Sequence, residues 1–305
     1  MRRMRTAGLV PRLSIGVLIV LAPIVFGVVG AGSLAARSGL NRSGRGPLQR
    51  IGASASGPGA MADLSFEIDG VVRHALVHQE STRGSTGRSP LVFVFHGHGG
   101  NAQNAARRFH IHTLWPEAVV AYMQGIPGVV GITDAEGIRN GWQKNPGELG
   151  DRDIKFFDVA LERLQKEYKT DPDRVYLIGH SNGARFVNVL WSVRGNRLAA
   201  LCSASGQGGR LIESAPPKPI FIIAGKRDRL VPFEGQMMSV ALVRQLLKTD
   251  SSKATEKGFA TMEPGRDGTE LVTYLHPGGH EFPEDALPLV VSFFQRHARN
   301  RVASK

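Results

Sequence analysis

Cysteine is nearly missing: Cys202 is the single one in 305 residues. One thiol can form neither an internal disulfide framework nor a cysteine-based zinc site. Acidic residues are missing from one long stretch. Residues 1–60 hold eight arginines (Arg2, Arg3, Arg5, Arg12, Arg37, Arg42, Arg45 and Arg50), no lysine and no acid. The whole chain carries 38 Lys+Arg against 26 Asp+Glu, so removing those eight leaves 30 bases against 26 acids in residues 61–305, a net of +4. The overall +12 therefore comes largely from the N-terminal stretch, and a nearly balanced body does not argue for a nucleic-acid partner. No internal repeat is visible. What is present is 42% hydrophobic residues, enough for a sizeable core and too many for a disordered chain.

Arg2, Arg3, Arg5 and Arg12 precede an uncharged run from Leu13 to Ala36, strongly apolar between Gly16 and Val29. A basic segment followed by an apolar one reads as an export signal. Val29-Gly30-Ala31 and Ser33-Leu34-Ala35 both offer small residues where a signal peptidase cuts. The run is also about the 20 residues that a bilayer span needs, so a retained anchor stays open despite Pro23. No cysteine follows it, which excludes a bacterial lipoprotein, and Arg2-Arg3 matches a twin-arginine signal poorly. Arg37–Met61 is Gly, Ser, Arg and Pro with few large apolar residues, a flexible linker. The expected organisation is a signal peptide or anchor over 1–36, a linker over 37–61 and one catalytic domain over 62–305. The expected location is outside the cytoplasm or in the cell envelope, with membrane contact only through residues 13–36.

From Ala62 onward strands and helices alternate. Leu64–Ile68 and Val71–His78 alternate in polarity around the turn signal Asp69-Gly70, an antiparallel opening pair. Short continuous apolar runs follow at Leu91–Phe95, Ala118–Met123, Val175–Ile178, Ala199–Cys202, Ile220–Ala224 and Leu271–Leu275, as in strands buried on both faces. Helical patterns lie between them at Ala102–Phe109, Ile154–Tyr168, Ala184–Val193, Gly235–Leu247 and Asp285–Ala298. Asp151 and Asp153 are candidate N-caps for the second of these. Trp191 and Met237-Met238 read as core residues on helices. The expectation is an α/β fold, a mostly parallel sheet with helices on both faces and no large lid. In such sheets a ligand binds beyond the carboxyl ends of the strands, so reactive groups belong just after a strand.

Val175–Gly179-His180-Ser181-Asn182-Gly183 passes that test as strand, Gly-x-Ser-x-Gly and helix. A serine on so sharp a turn presents its hydroxyl above the sheet, and glycines at 179 and 183 leave room for neighbouring backbone. Leu91–His96-Gly97-His98-Gly99-Gly100 is a buried strand ending in a glycine loop of the kind that supplies an oxyanion donor. The donors are assigned to the main-chain N–H of His98 and Asn182. The rings of His96 and His98 read as structural, and a metal site joining them to His110 and His112 lacks a nearby carboxylate. Asp228 follows the strand Ile220–Ala224, whereas Asp250 and Asp267 follow helix and loop patterns. Of the histidines beyond Asp228, His280 lies in a glycine-loosened loop, His276 ends a strand and is the second candidate, and His297 reads as surface. Ser181, Asp228 and His280 thus fit nucleophile, orienting acid and base, with no cofactor and no metal required.

Together these motifs resemble the α/β-hydrolase esterases grouped with polyhydroxybutyrate depolymerases and feruloyl/acetylxylan esterases. The likeness covers about 61–298 and rests on His96-Gly97-x-Gly99-Gly100, Asp171-x-x-Arg174-Val175-Tyr176, Gly179-x-Ser181-Asn182-Gly183, Gly225-x-x-Asp228-x-x-Val231-Pro232 and Gly278-Gly279-His280-x-x-Pro283. It implies an exported serine esterase working through an acyl-enzyme on a small or oligomeric ester. The chain departs from the family in having Ala184 after the elbow, no disulfide and no added substrate-binding domain, which weakens a polymer substrate. The resemblance also places a tryptophan near the site, here Trp142, as a pocket residue; packing as a loop anchor is the other reading. A serine peptidase of the same fold and a non-catalytic binding protein on the same scaffold are the competing functions.

Overall fold

The computed structural model describes residues 60–80, 87–131 and 133–299. The leader and most of the linker lie outside the described residues.

Ten strands form one sheet. β1 (Ala62–Ile68) and β2 (Val71–His78) make the antiparallel opening pair, turned at Asp69-Gly70, both at positive φ. β2 runs antiparallel to β4 (Val119–Met123). β4 lies parallel to β3 (Ser89–Phe95) and β3 to β7 (Thr170–His180), and the parallel order continues through β8 (Ala200–Ala204), β9 (Ile220–Gly225) and β12 (Glu270–His276). Two strands that the polarity pattern does not signal, β10 (Thr255–Lys257) and β11 (Ala260–Pro264), close the far edge antiparallel. β10 is exposed throughout and β11 half buried, so neither shows an apolar run or a clean alternation. A two-residue ladder pairs β5 (Ile126–Pro127) with β6 (Asn140–Gly141) outside the main sheet.

β3 shows why its sequence is continuously apolar. Leu91, Phe93 and Phe95 enter one core and Val92 and Val94 the other. The first core is covered by α3 (Arg152–Glu167), α4 (Asn182–Arg194), α5 (Arg210–Glu213) and α6 (Phe233–Leu247). The second is covered by α1 (Ala102–Phe109), α2 (Ile111–Leu114) and α7 (Leu287–Gln295). Burying each large side chain there contributes about 1.5–3 kcal/mol. Pro288 is tolerated only in a first helical turn, so α7 begins at Leu287 after a 3-10 turn at Glu284–Ala286, later than the sequence pattern suggests. Trp191 is fully buried as expected, but Met238 is 63% exposed because it falls on the outer face of α6. His297 is not a surface residue either. Its Nδ1 lies 2.8 Å from the Phe293 carbonyl, and its ring packs on Phe293.

Candidate active site

Three parallel strands bring the site together. β7 ends at His180 and α4 begins at Asn182, so Ser181 alone turns the chain, at φ 58° and ψ −121°. Such a conformation costs a non-glycine residue about 1–3 kcal/mol and persists only where its surroundings enforce it. The Ser181 N–H donates to the Ala204 carbonyl at 2.8 Å, tying the turn to β8. The flanking glycines are sterically required: a Cβ on Gly179 would overlap the Gly183 carbonyl, and one on Gly183 the Phe95 carbonyl.

β9 and β12 supply the other two groups. Asp228 follows β9, and His280 sits in the loop after β12. A Cβ on Gly225 would overlap the Gly279 carbonyl, so glycine at the end of β9 lets that loop pass. The His280 Nε2 lies 2.8 Å from Ser181 Oγ, and its Nδ1 lies 2.8 Å from Asp228 Oδ2. The carboxylate of Asp228 is fully buried and its acceptor sites are filled. Oδ1 accepts from the Leu230 and Val231 N–H groups at 2.9 Å, and Oδ2 also accepts from Gln236 Nε2 at 3.1 Å. Burial alone would raise its pKa, but the Val231 N–H, His280 and the Leu230 N–H outweigh it and hold the carboxyl below its ordinary value. Gln236, one turn into α6, has no sequence signal pointing to it. His276 is 4% exposed, accepts from the Gly278 N–H through Nδ1 at 3.2 Å and makes no contact with Ser181. Asp250 caps the turn at Ser251–Lys253 and Asp267 sits in a turn at positive φ, both away from this cluster.

The N–H groups of His98 and Asn182 donate to no other group among the described residues, and both residues line the cleft over Ser181. Asn182 is the first residue of α4, where the helix dipole adds partial positive charge. The glycine loop is held by its two histidines. His96 Nδ1 lies 2.7 Å from the Gly97 carbonyl and Nε2 accepts from the Gly125 N–H at 3.0 Å, and burial pushes its pKa down to about 4. His98 Nε2 lies 3.2 Å from Asp134 Oδ2, a carboxylate that also accepts from the Ile138 and Arg139 N–H groups. His112 bonds Tyr122, on a different wall. Among the described residues no three or more His, Cys, Asp or Glu are placed to hold a metal ion.

Trp142 does not line the cleft. Its side chain is fully buried, stacked on Phe186 at 5.4 Å, and its indole N–H donates to the His96 carbonyl at 2.9 Å. The ring fits the space under the glycine loop, so it supports that loop and presents no exposed face to the cleft. The Asn182 side chain completes this floor, accepting from the Trp142 N–H at 2.7 Å and donating to the Trp142 carbonyl at 2.9 Å. The capping expectation for Asp151 and Asp153 is also corrected. Asp151 sits at φ 57° with no capping bond to the helix and accepts instead from Gly147 N–H and Gln143 Nε2. Asp153 is fully buried and pairs with Arg73 of β2 at 2.8 Å while accepting from the Gln143 N–H. Asp151 thus bonds to the 140–150 loop, and Asp153 to that loop and to Arg73 of β2, in place of capping α3.

Above Ser181 and His280 opens a cleft of about 970 Å³, lined by the glycine loop, the end of α1, residues 130–131 and 144–145 with Thr133, Arg139 and Glu148, the start of α4 and Leu230–Pro232. His180, next to Ser181, is nearly buried, and its ring lies 5.0 Å from that of His280. Burial, then the charges of His280 and Arg108, push its pKa down to about 3, so it stays uncharged.

No family model matches the chain. Among curated proteins it is 29% identical over 158 residues to NocK of Nocardia uniformis subsp. tsuyamanensis, provisionally named an esterase, covering 48% of this chain and 42% of that protein. It is 28% identical over 149 residues to the bifunctional acetylxylan esterase/xylanase XynS20E of Neocallimastix patriciarum, covering 48% of this chain and 20% of that protein. The chain thus spans less than half the length of the curated relatives it matches. Among solved structures it is similar to an acetyl xylan esterase from Aspergillus awamori (TM-score 0.61, 12% identity, 78% of this chain and 99% of that one). It is also similar to a glucuronoyl esterase from Solibacter usitatus (TM-score 0.58, 12% identity, 84% of this chain and 88% of that one). The fold is that of the α/β-hydrolase esterases.

Proposed function

We propose that this chain is a serine esterase, hydrolysing carboxylic esters through an acyl-enzyme. The observation that carries the reading is His280, with one ring nitrogen 2.8 Å from Ser181 Oγ and the other 2.8 Å from a buried carboxylate. Ser181 Oγ attacks the ester carbonyl carbon while its proton passes to His280 Nε2. The oxyanion is held by the N–H groups of His98 and Asn182, donors of a type whose single removal typically costs about 10²–10³ in rate. His280 gives the proton to the departing alkoxide, leaving the acyl group on Ser181. Water then adds to that ester, again losing a proton to His280, and the acid leaves as Ser181 Oγ is reprotonated. Asp228 holds the tautomer with Nδ1 protonated and stabilises the imidazolium.

The motif set favours the polyhydroxybutyrate-depolymerase and feruloyl-esterase kind, acting on soluble or oligomeric esters. The basic and apolar leader supports export. A mature N-terminus within Gly32–Arg37 supports a cleaved signal, whereas an intact Met1 in a membrane fraction supports an anchor. The esterase reading is tested with a fluorophosphonate probe and chromogenic substrates. The expected result is labelling of Ser181, turnover of p-nitrophenyl esters and none of aminoacyl anilides. Absence of labelling on folded protein would overturn it, and anilide cleavage would make it a peptidase.

A further inference from the structure

The charge of the cleft differs from that of the body. Residues 61–305 are nearly balanced, yet the cleft walls carry Arg108, Arg139, Lys144 and Arg185 against a single acid, Glu148. Glu148 is already engaged, accepting from the N–H groups of Lys144 and Asn145 and from Asn145 Nδ2. Asp228 and Asp134 lie behind the walls and are occupied as described above. Arg185 spends its donors on neutral oxygens, the carbonyls of Lys144, Gln207 and Gly208 and the Asn145 side chain, so no carboxylate bonds to it. Arg108, at the end of α1, and Arg139 are exposed, and neither guanidinium has a hydrogen bond or ion pair among the described residues. They line the cleft that holds Ser181 from different elements. Arg108 lies near enough to His180 for its charge to be felt there, and the Arg139 stem lies over Gly99 of the oxyanion loop. Arg139 is held in place through its main-chain N–H on Asp134, which leaves the fork free for a ligand.

Arg108 and Arg139 thus present to the cleft that holds Ser181 two guanidinium groups with no partner among the described residues, while the one acid of the cleft lining is already engaged. We propose that Arg108 and Arg139 select ester substrates bearing a free carboxylate, bound across the planar fork of an arginine. This rests on the esterase reading and deepens it. The geometry of guanidinium and carboxylate matches in two parallel N–H···O bonds. A cleft lined by one sign of charge also concentrates ligands of the other sign, with effects of about 10–10³-fold on capture.

The test compares esters that differ only in a charged end. Mono-p-nitrophenyl glutarate against p-nitrophenyl valerate places the carboxylate on the acyl half, and 4-acetoxybenzoate against its methyl ester places it on the alcohol half. The expected result is a preference of about tenfold or more in kcat/KM for the anionic member of at least one pair, residing in KM. That ratio should shrink toward one in about 0.5 M NaCl. It should shrink likewise in the Arg108→Gln/Arg139→Gln double variant, and Arg139→Lys should keep part of it. Preference for the neutral ester in both pairs, or an anionic preference that the double variant leaves intact, overturns the proposal. Failure to turn over any of the four esters, neutral ones included, overturns the esterase reading instead and this proposal with it.

Discussion

At the scale of single residues the site depends on groups held in unfavourable states. Ser181 keeps a positive φ because β8 and two obligatory glycines enforce it. Ser181→Ala removes the Oγ without opening a core cavity, so turnover should fall by about 10⁴–10⁶ with the unfolding midpoint nearly unchanged. Retention of a tenth of the activity would place the nucleophile elsewhere. His280→Ala should match that loss and His276→Ala should cost far less, since only the first ring reaches Ser181. Asp228→Asn should lower turnover by about 10³–10⁴ by favouring the wrong tautomer. Two other rings contribute to a pH dependence of stability, together with His112, whose pKa burial also lowers to about 4. His96 and His180 have an ordinary pKa of 6.5, but in the fold burial lowers it to about 4 and about 3. Below 6.5 the unfolded chain takes up protons that the folded chain refuses, so stability should fall as pH drops from 6.5 toward 4. The urea midpoint should be lower at pH 5 than at pH 7, and the drop should be smaller in His180→Gln. An equal drop in that variant would assign the effect to other groups.

At the scale of elements the glycine loop after β3 stands on a floor that the sequence does not announce. The Asp153 carboxylate on α3 joins Arg73 of β2 and the Gln143 N–H, and Trp142 next to it supports His96. Arg73 has its pKa lowered by burial and raised in part by Asp153, so its charge depends on that partner. Arg73→Met leaves the buried Asp153 carboxylate with only the longer 3.6 Å contact to Arg152 Nε and should cost up to about 3–5 kcal/mol in denaturant unfolding. The double variant Arg73→Met/Asp153→Leu should recover much of that loss. A single variant as stable as the parent would mean that the pair carries little. Capping and pairing look alike in a sequence, because an acid before a helix serves either purpose. The choice was made here by Arg73, eighty residues away.

At the scale of the whole molecule, the described body begins its first strand at Ala62, and the residues that line the site all lie between His96 and His280. A chain starting at Met61 should therefore be soluble and as active as the full chain on p-nitrophenyl esters. It should elute earlier from a cation-exchange resin, since the eight arginines of residues 1–60 are gone and the net charge falls from +12 to +4. An insoluble or inactive product would mean that residues before Met61 belong to the fold.

The sequence by itself determined the parallel core and the opening hairpin, and it singled out Ser181, Asp228 and His280, which the fold brings within hydrogen-bond reach of one another. Those features are local: a strand buried on both faces must be apolar at every position, and an elbow or loop that meets backbone must be glycine. Only the tertiary structure decided what depends on neighbours distant in the chain. It put Trp142 under the loop instead of in the cleft, made Gln236 a partner of Asp228, and turned Asp153 from a cap into half of a buried ion pair. It also gathered Arg108 and Arg139 on one cleft while leaving the total charge of the body nearly balanced. A charge count carries no positions, and a side chain's role is set by the groups that folding brings within about 3 Å of it.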